Sequence, residues 1–228
     1  SLPSVPLGIN MECLVTMNDT WGYRKDDHNW KSSEEVIEIL CRTLTSDATL
    51  LLNVGPMEDG SLTPETLYIL ERMGEWTGRN REAVYGRVYG NPLPTMFPWG
   101  YLAVKEKALY LYVTDKEARN ISISGIESQV SDVTLLGAAQ FAVWSVEDCS
   151  LTLAVEKTEF EVPVYKVVFS EEPVFSKHIT QCGNTLSLNV AWAKKCRKSE
   201  KSKTGEALFL EKNRFVPDYG KHGLCLNQ

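Results

Sequence analysis

The stretch Thr49-Leu50-Leu51-Leu52-Asn53-Val54-Gly55-Pro56, followed by Met57-Glu58-Asp59-Gly60, constrains this chain most. Its apolar run is too short to span a membrane and suits a strand buried on both faces, as in a parallel sheet covered by helices. The strand, predicted over 49–54, runs into Asn, Gly, Pro and Asp-Gly, residues that bend backbone and present polar groups. An apolar strand with a polar loop at its C-terminal end is what an α/β barrel places beneath a site.

The flanks extend this pattern. Residues 1–31 read as loop, with Pro3, Pro6, Gly8 and the aromatic cluster Trp21-Gly22-Tyr23. Ser32 with Glu35 three residues on forms a capping box, and Val36, Ile37, Leu40, Cys41 and Leu44 follow at helical spacing, which predicts a helix over 33–45. Thr63-Pro64-Glu65 opens a second helix that ends near Gly78, with Leu67, Leu70, Met73, Gly74 and Trp76 facing one way. Loop, helix, strand, loop, helix is a piece of a (β/α) barrel and cannot close one, because closure takes eight strands.

From Val84 the period becomes alternating. Tyr101–Val104 and Ala108–Val113 read as a hairpin around Lys105-Glu106-Lys107. Ile121/Ile123, Val133–Leu136, Ala142–Trp144, Leu151–Val155 and Tyr165–Phe169 continue at short spacing. Such a series predicts an antiparallel β-sandwich. The fold class expected is therefore α/β plus all-β. Residues 1–84 form the C-terminal part of the barrel and 85–175 the sandwich, while 176–228 stay unassigned with a partly basic tail. Residue 1 is Ser and no signal-peptide pattern follows, so the chain reads as the C-terminal part of a longer polypeptide, or a processed or truncated one.

Charge excludes some partners. The net charge of −6 argues against general nucleic-acid binding, and no apolar run suits a membrane span. Residues 191–228 hold nine basic and four acidic side chains, +5, which leaves −11 for the rest; Lys194 to Lys203 reads as a solvated or disordered tail. The six cysteines form no CxxC pair, so a zinc site is not expected; their even number permits disulfides without requiring them.

Five motifs stand in order: Met11-Glu12, Thr16 to Tyr23 ending Trp-Gly-Tyr, Leu51-Leu52-Asn53-Val54-Gly55-Pro56, Asp59-Gly60, and Asn80-Arg81-Glu82-Ala83-Val84-Tyr85. In order and spacing they resemble the alpha-L-fucosidases of glycoside hydrolase family 29, and the resemblance continues more loosely into the sandwich through Val133–Gly137 and Trp144. It implies a (β/α) barrel followed by a β-sandwich, with neither a metal nor an organic cofactor. It implies hydrolysis of terminal alpha-L-fucose from glycans with retention, in a secreted, periplasmic or lysosomal setting. Retention uses two carboxyl groups roughly 5–5.5 Å apart, one attacking the anomeric carbon and one protonating the leaving oxygen. The family's nucleophile strand lies upstream of the matched part, so this chain alone is expected to be inactive. The alternative is a non-catalytic carbohydrate-binding or structural relic. This sequence departs from the family pattern at Met11, Leu14 and Arg81.

Among individual residues, Asp19 leads as acid/base. It lies in the loop that the family uses around the sugar, beside aromatic residues able to exclude water; its other reading is a loop cap. Glu12 is the second catalytic candidate, or else an ion-pair partner of Arg24 or Lys25. Trp21 and Tyr23 could stack on fucose or pack in the core. Arg24 could hydrogen-bond a sugar hydroxyl or a catalytic carboxylate, or simply be a solvated cation. His28 reads as polar loop, and Asn53 as a brace for the loop. Asn18-Asp19-Thr20 and Asn120-Ile121-Ser122 fit the N-glycosylation pattern, the first being disfavoured if it lines the sugar site.

Overall fold

The capping box at Ser32 forms as its residues dictate. Ser32 Oγ accepts from the Glu35 amide at 3.1 Å and the Glu35 carboxylate accepts from the Ser32 amide at 2.6 Å, starting helix α1 (Ser33–Thr45). The computed structural model describes residues 11–86, 89–93, 96–138 and 142–176 with their side chains, and several strands between 180 and 226 by their backbone. Strand β1 (Met11–Thr16) precedes α1 and β2 (Ala48–Asn53) follows it. The two pair in parallel, Met11 opposite Ala48 through Thr16 opposite Asn53. A parallel pair needs a crossover, and α1 supplies it. Helix α2 (Pro64–Arg79) starts from Thr63, whose hydroxyl accepts from the Thr66 amide at 3.2 Å, and a single helical turn, α3 (Arg81–Val84), comes next.

The remaining described strands with side chains are antiparallel. Strands β3 (Gly100–Lys105), β4 (Ala108–Val113), β6 (Val130–Leu135) and β9 (Val164–Phe169) form one sheet in the order β3-β4-β9-β6. Strands β5 (Asn120–Ser124), β7 (Trp144–Glu147) and β8 (Ser150–Ala154) form a second in the order β5-β8-β7. Leu109, Leu111, Ile123, Leu151, Leu153 and Val167, each at 0% exposure, fill the space between the sheets. A β-sandwich therefore follows the α/β part.

The opposite face of the four-stranded sheet is not left to solvent. Ile37 and Cys41 of α1, Trp76 of α2 and Ala83 of α3 pack on it against Ala103, Tyr110, Tyr112 and Val164. Polar links reinforce the contact: Trp76 Nε1 donates to the Val162 carbonyl at 2.9 Å, and Tyr112 OH to the Ala83 carbonyl at 2.6 Å. Glu161 accepts from Ser33 at 2.9 Å and pairs with Arg72 at 3.3 Å, and Lys116 pairs with Glu34. Strand β4 is consequently buried at every position.

Four expectations need correction. Residues 1–31 read as loop, yet Met11–Thr16 form strand β1, paired along its whole length with β2. The strand expected to be buried on both faces is covered on one only. Leu50 and Leu52 are partly buried, and Leu52 packs with Val36 and Ile69 of the helices, whereas Leu51 is 47% exposed beside its equally bare neighbour Leu14. Among the described residues nothing lies over that second face. On α2 the buried stripe is Thr66, Ile69 and Trp76, with Met73 partly buried beside them; Leu67 and Leu70 lie on the adjacent stripe and are exposed. The strand expected over 142–144 lies at Trp144–Glu147 instead, set by the turn at Asp148 and Cys149, both with positive φ.

Beyond residue 176, β10 (Thr180–Cys182) pairs with β11 (Thr185–Ser187). Strands β12 (Ala193–Lys195), β13 (Leu208–Glu211), β14 (Arg214–Tyr219) and β15 (His222–Leu226) pair in the order β12-β15-β14-β13. The expected basic tail, apart from Lys194 and Lys195 in β12, lies outside the described residues. Among the described residues no helix is long and apolar enough to cross a membrane.

Candidate active site

Because β1 and β2 run in parallel, the segments that follow them emerge at the same end of the pair. One is loop 17–32, between β1 and α1; the other is 54–63, between β2 and α2. They are keyed together. Asn53, the last residue of β2, donates from Nδ2 to the Trp21 carbonyl at 2.7 Å. Two residues on, Gly55 lies so close under the loop that a Cβ would stand 3.0 Å from the Tyr23 amide nitrogen and 3.1 Å from the Gly22 carbonyl carbon. The Asn-Val-Gly-Pro strand end is thus a seat for the Trp-Gly-Tyr turn, as the sequence reading had Asn53 bracing this loop.

The loop also holds itself. Met17 and Asn18 are buried at its root, and the Lys31 amide donates back to the Met17 carbonyl at 2.8 Å. Asp27 is an internal staple: Oδ2 lies 2.9 Å from the Thr20 hydroxyl, and Oδ1 accepts from the Asn29 amide at 3.2 Å. This root leaves the tip open. Trp21 is 57% exposed and Tyr23 36%.

Asp19 is exposed, with both carboxylate oxygens held by Asn29 Nδ2 at 3.1 and 3.0 Å. Arg24 engages neither Asp19 nor Glu12; it pairs with Asp26 at 2.9 Å. Its guanidinium holds the Asp26 carboxyl below the usual carboxylate range. Glu12 stands apart, exposed on β1 opposite Thr49. It is four residues before the strand's end, a rise of about 13 Å at strand geometry. His28 is exposed. Sequence reasoning did not single out Asn29, Asp27 or Gly55; the Asp-Asp-His-Asn cluster and the Gly-Pro step were their signals.

The site is thus an open loop surface carrying an indole, a phenol, an oriented carboxylate and a paired guanidinium. Such a surface can stack on an apolar face and hydrogen-bond hydroxyls. Among the described residues no group of three or more His, Cys, Asp or Glu could hold a metal. A cleft of about 410 Å³ between Glu34, residues 113–119 and residues 155–163 shares no residue with the loop.

A family model for alpha-L-fucosidase matches residues 3–82, the segment that contains both keyed loops. The chain is similar to the alpha-L-fucosidases. It is 28% identical over 141 residues to tissue alpha-L-fucosidase of Homo sapiens, covering 59% of this chain and 30% of that protein. To the tissue alpha-L-fucosidase of Bos taurus it is 30% identical over 149 residues, 63% of this chain and 31% of that protein. The crystal structure of alpha-L-fucosidase from Vibrio sp. strain EJY3 superposes with a TM-score of 0.70 at 25% identity, over 79% of this chain and 33% of that one. The chain therefore spans about a third of each of these alpha-L-fucosidases, and its α/β part followed by a β-sandwich agrees with that fold.

Proposed function

We propose that the chain supplies the last (β/α) barrel strands and the adjoining β-sandwich of a retaining glycoside hydrolase that removes terminal alpha-L-fucose from glycans. Residues 1–84 belong to the barrel and 85–175 to the sandwich, with 176–228 following. The observation that carries this reading is the seating of the Trp21-Gly22-Tyr23 loop by Asn53 and Gly55 at the C-terminal ends of two parallel strands, within the segment matched by the family model. In barrel enzymes that end of the strands carries the chemistry.

In this reading Asp19 donates a proton to the leaving oxygen and later takes one from the attacking water, with Asn29 orienting its carboxylate. Glu12 is the alternative acid/base. Trp21 and Tyr23 stack on the apolar face of the sugar, and Arg24 exchanges its exposed contact with Asp26 for a sugar hydroxyl. No residue of this chain is assigned the nucleophile's role, so the chain by itself should not turn over an aryl alpha-L-fucoside. Turnover that a substitution in this chain abolishes would overturn that assignment.

The roles are tested in a polypeptide containing the whole barrel. Asp19→Asn should slow substrates with poor leaving groups by roughly 10²–10⁴-fold and good ones far less. Added azide should restore the mutant by attacking the glycosyl-enzyme. Equal slowing on all substrates without azide rescue would make Asp19 a loop brace and move the test to Glu12→Gln. Arg24's pairing with Asp26 favours a second reading, a carbohydrate-binding or structural relic, for which fucose binding without turnover in the whole-barrel polypeptide is the signature.

A further inference from the structure

Two segments carry the Asn-X-Ser/Thr pattern, and the fold treats them differently. Asn18 is 8% exposed, next to Met17 at 2%, at the root of the loop. A branched oligosaccharide there would have to unseat that root. Asn120 is exposed at the start of β5. Strand alternation sends Ile121 and Ile123 into the core between the sheets and leaves Asn120 and Ser122 together on the outer face. That face belongs to the three-stranded sheet, on the far side of the sandwich from the helices. The cross-strand side chains that β8 sets beside this face are small. Ala154 stands opposite Asn120, Thr152 opposite Ser122 and Ser150 opposite Ser124. On the β8 side a first sugar residue at Asn120 meets no bulky cross-strand neighbour.

We propose that Asn120 is an attachment site for an N-linked glycan. The group transferred comes from a lipid-diphosphate-linked oligosaccharide. Asn120 Nδ2 forms the new bond to the anomeric carbon as the bond from that carbon to the diphosphate oxygen breaks. The lipid diphosphate leaves with the electron pair and the amide gives up one proton. The Ser122 hydroxyl completes the acceptor pattern on the same face of the strand. This is independent of the glycosidase reading.

The test is to translate the full chain behind a cleavable signal leader into endoplasmic-reticulum microsomes and recover the protease-protected product. Treatment with peptide N-glycosidase in ¹⁸O water should lower its apparent mass and leave an isotope-tagged Asp in the peptide holding residue 120. Asn120→Gln and Ser122→Ala should each abolish the shift, and Asn18→Gln should leave it unchanged. A protected chain unmodified at Asn120, or a shift that survives Asn120→Gln and disappears in Asn18→Gln, would overturn the proposal.

Discussion

Trp76 offers the sharpest test of how the two halves of the molecule are joined. The residue is 1% exposed, and its indole nitrogen donates to the Val162 carbonyl at 2.9 Å, while Val162 is itself 3% exposed. Trp76→Phe keeps an aromatic ring but removes the donor, leaving that carbonyl without its partner in a dry site. An orphaned buried acceptor costs about 1–3 kcal/mol. The gap left by the missing part of the indole adds about 1 kcal/mol. The sum is about 2–4 kcal/mol, a fall of roughly 1 M in the urea midpoint at an m-value of about 2–3 kcal/mol per M. Val162 also holds a φ of 41, uncommon for a β-branched residue and kept by its surroundings, so the substitution removes one of the restraints on its loop. Hydrogen exchange across a urea series, read for peptides of α2, β4 and β9, gives the answer. All three should lose protection at the same lowered midpoint. If α2 loosens while β4 and β9 keep the wild-type midpoint, the helices and the sandwich are not one cooperative unit and the reasoning fails.

Gly55→Ala should displace the Trp21-Gly22-Tyr23 turn, because the added Cβ meets backbone atoms that cannot swing aside; limited proteolysis should cut loop 17–32 faster at a stability loss of about 1–3 kcal/mol, and an unchanged cleavage rate would contradict the close approach. Hydrogen bonding within the Ser32 capping box holds the Glu35 carboxyl below its ordinary value of 4.5. A depressed carboxylate stabilises the fold above its unfolded value and loses that contribution as the pH falls through the folded one. The Ser32 and Glu35 amides should therefore lose protection in acid, and Glu35→Gln should weaken this pH dependence; an NMR titration with identical acid profiles for both proteins would count against it.

The parts of the fold written in adjacent residues were legible in the sequence. The capping box, the Thr63-Pro64 helix start and the 101–113 hairpin each need only a few neighbours, and each formed at the expected place. What the sequence left open depends on partners distant in the chain. Strand β2 carries leucine at three successive positions, 50 to 52, so its pattern could not say which face the helices would cover. Helix α2 carries apolar residues on adjacent stripes, and Trp76 decides between them by reaching Val162 from 86 residues away. In the candidate site, the brace role of Asn53 followed from its position at a strand end. The grip of Asn29 on Asp19 depends on a chain reversal that spacing alone does not reveal.

Strand β4 proofreads its own register. Leu109, Leu111 and Val113 face one core, and Ala108, Tyr110 and Tyr112 face the other. The tyrosine hydroxyls have partners on the helix side only: Glu82 for Tyr110 and the Ala83 carbonyl for Tyr112. A slip of one residue would turn both phenols into the aliphatic space between the sheets, stranding two hydroxyls at about 1–3 kcal/mol each, and would turn leucines toward acceptors they cannot satisfy. Neither core tolerates what the other requires. A misthreaded hairpin is therefore rejected from both sides, and the helices that present Glu82 and Ala83 act as a template against which the sandwich checks its central strand.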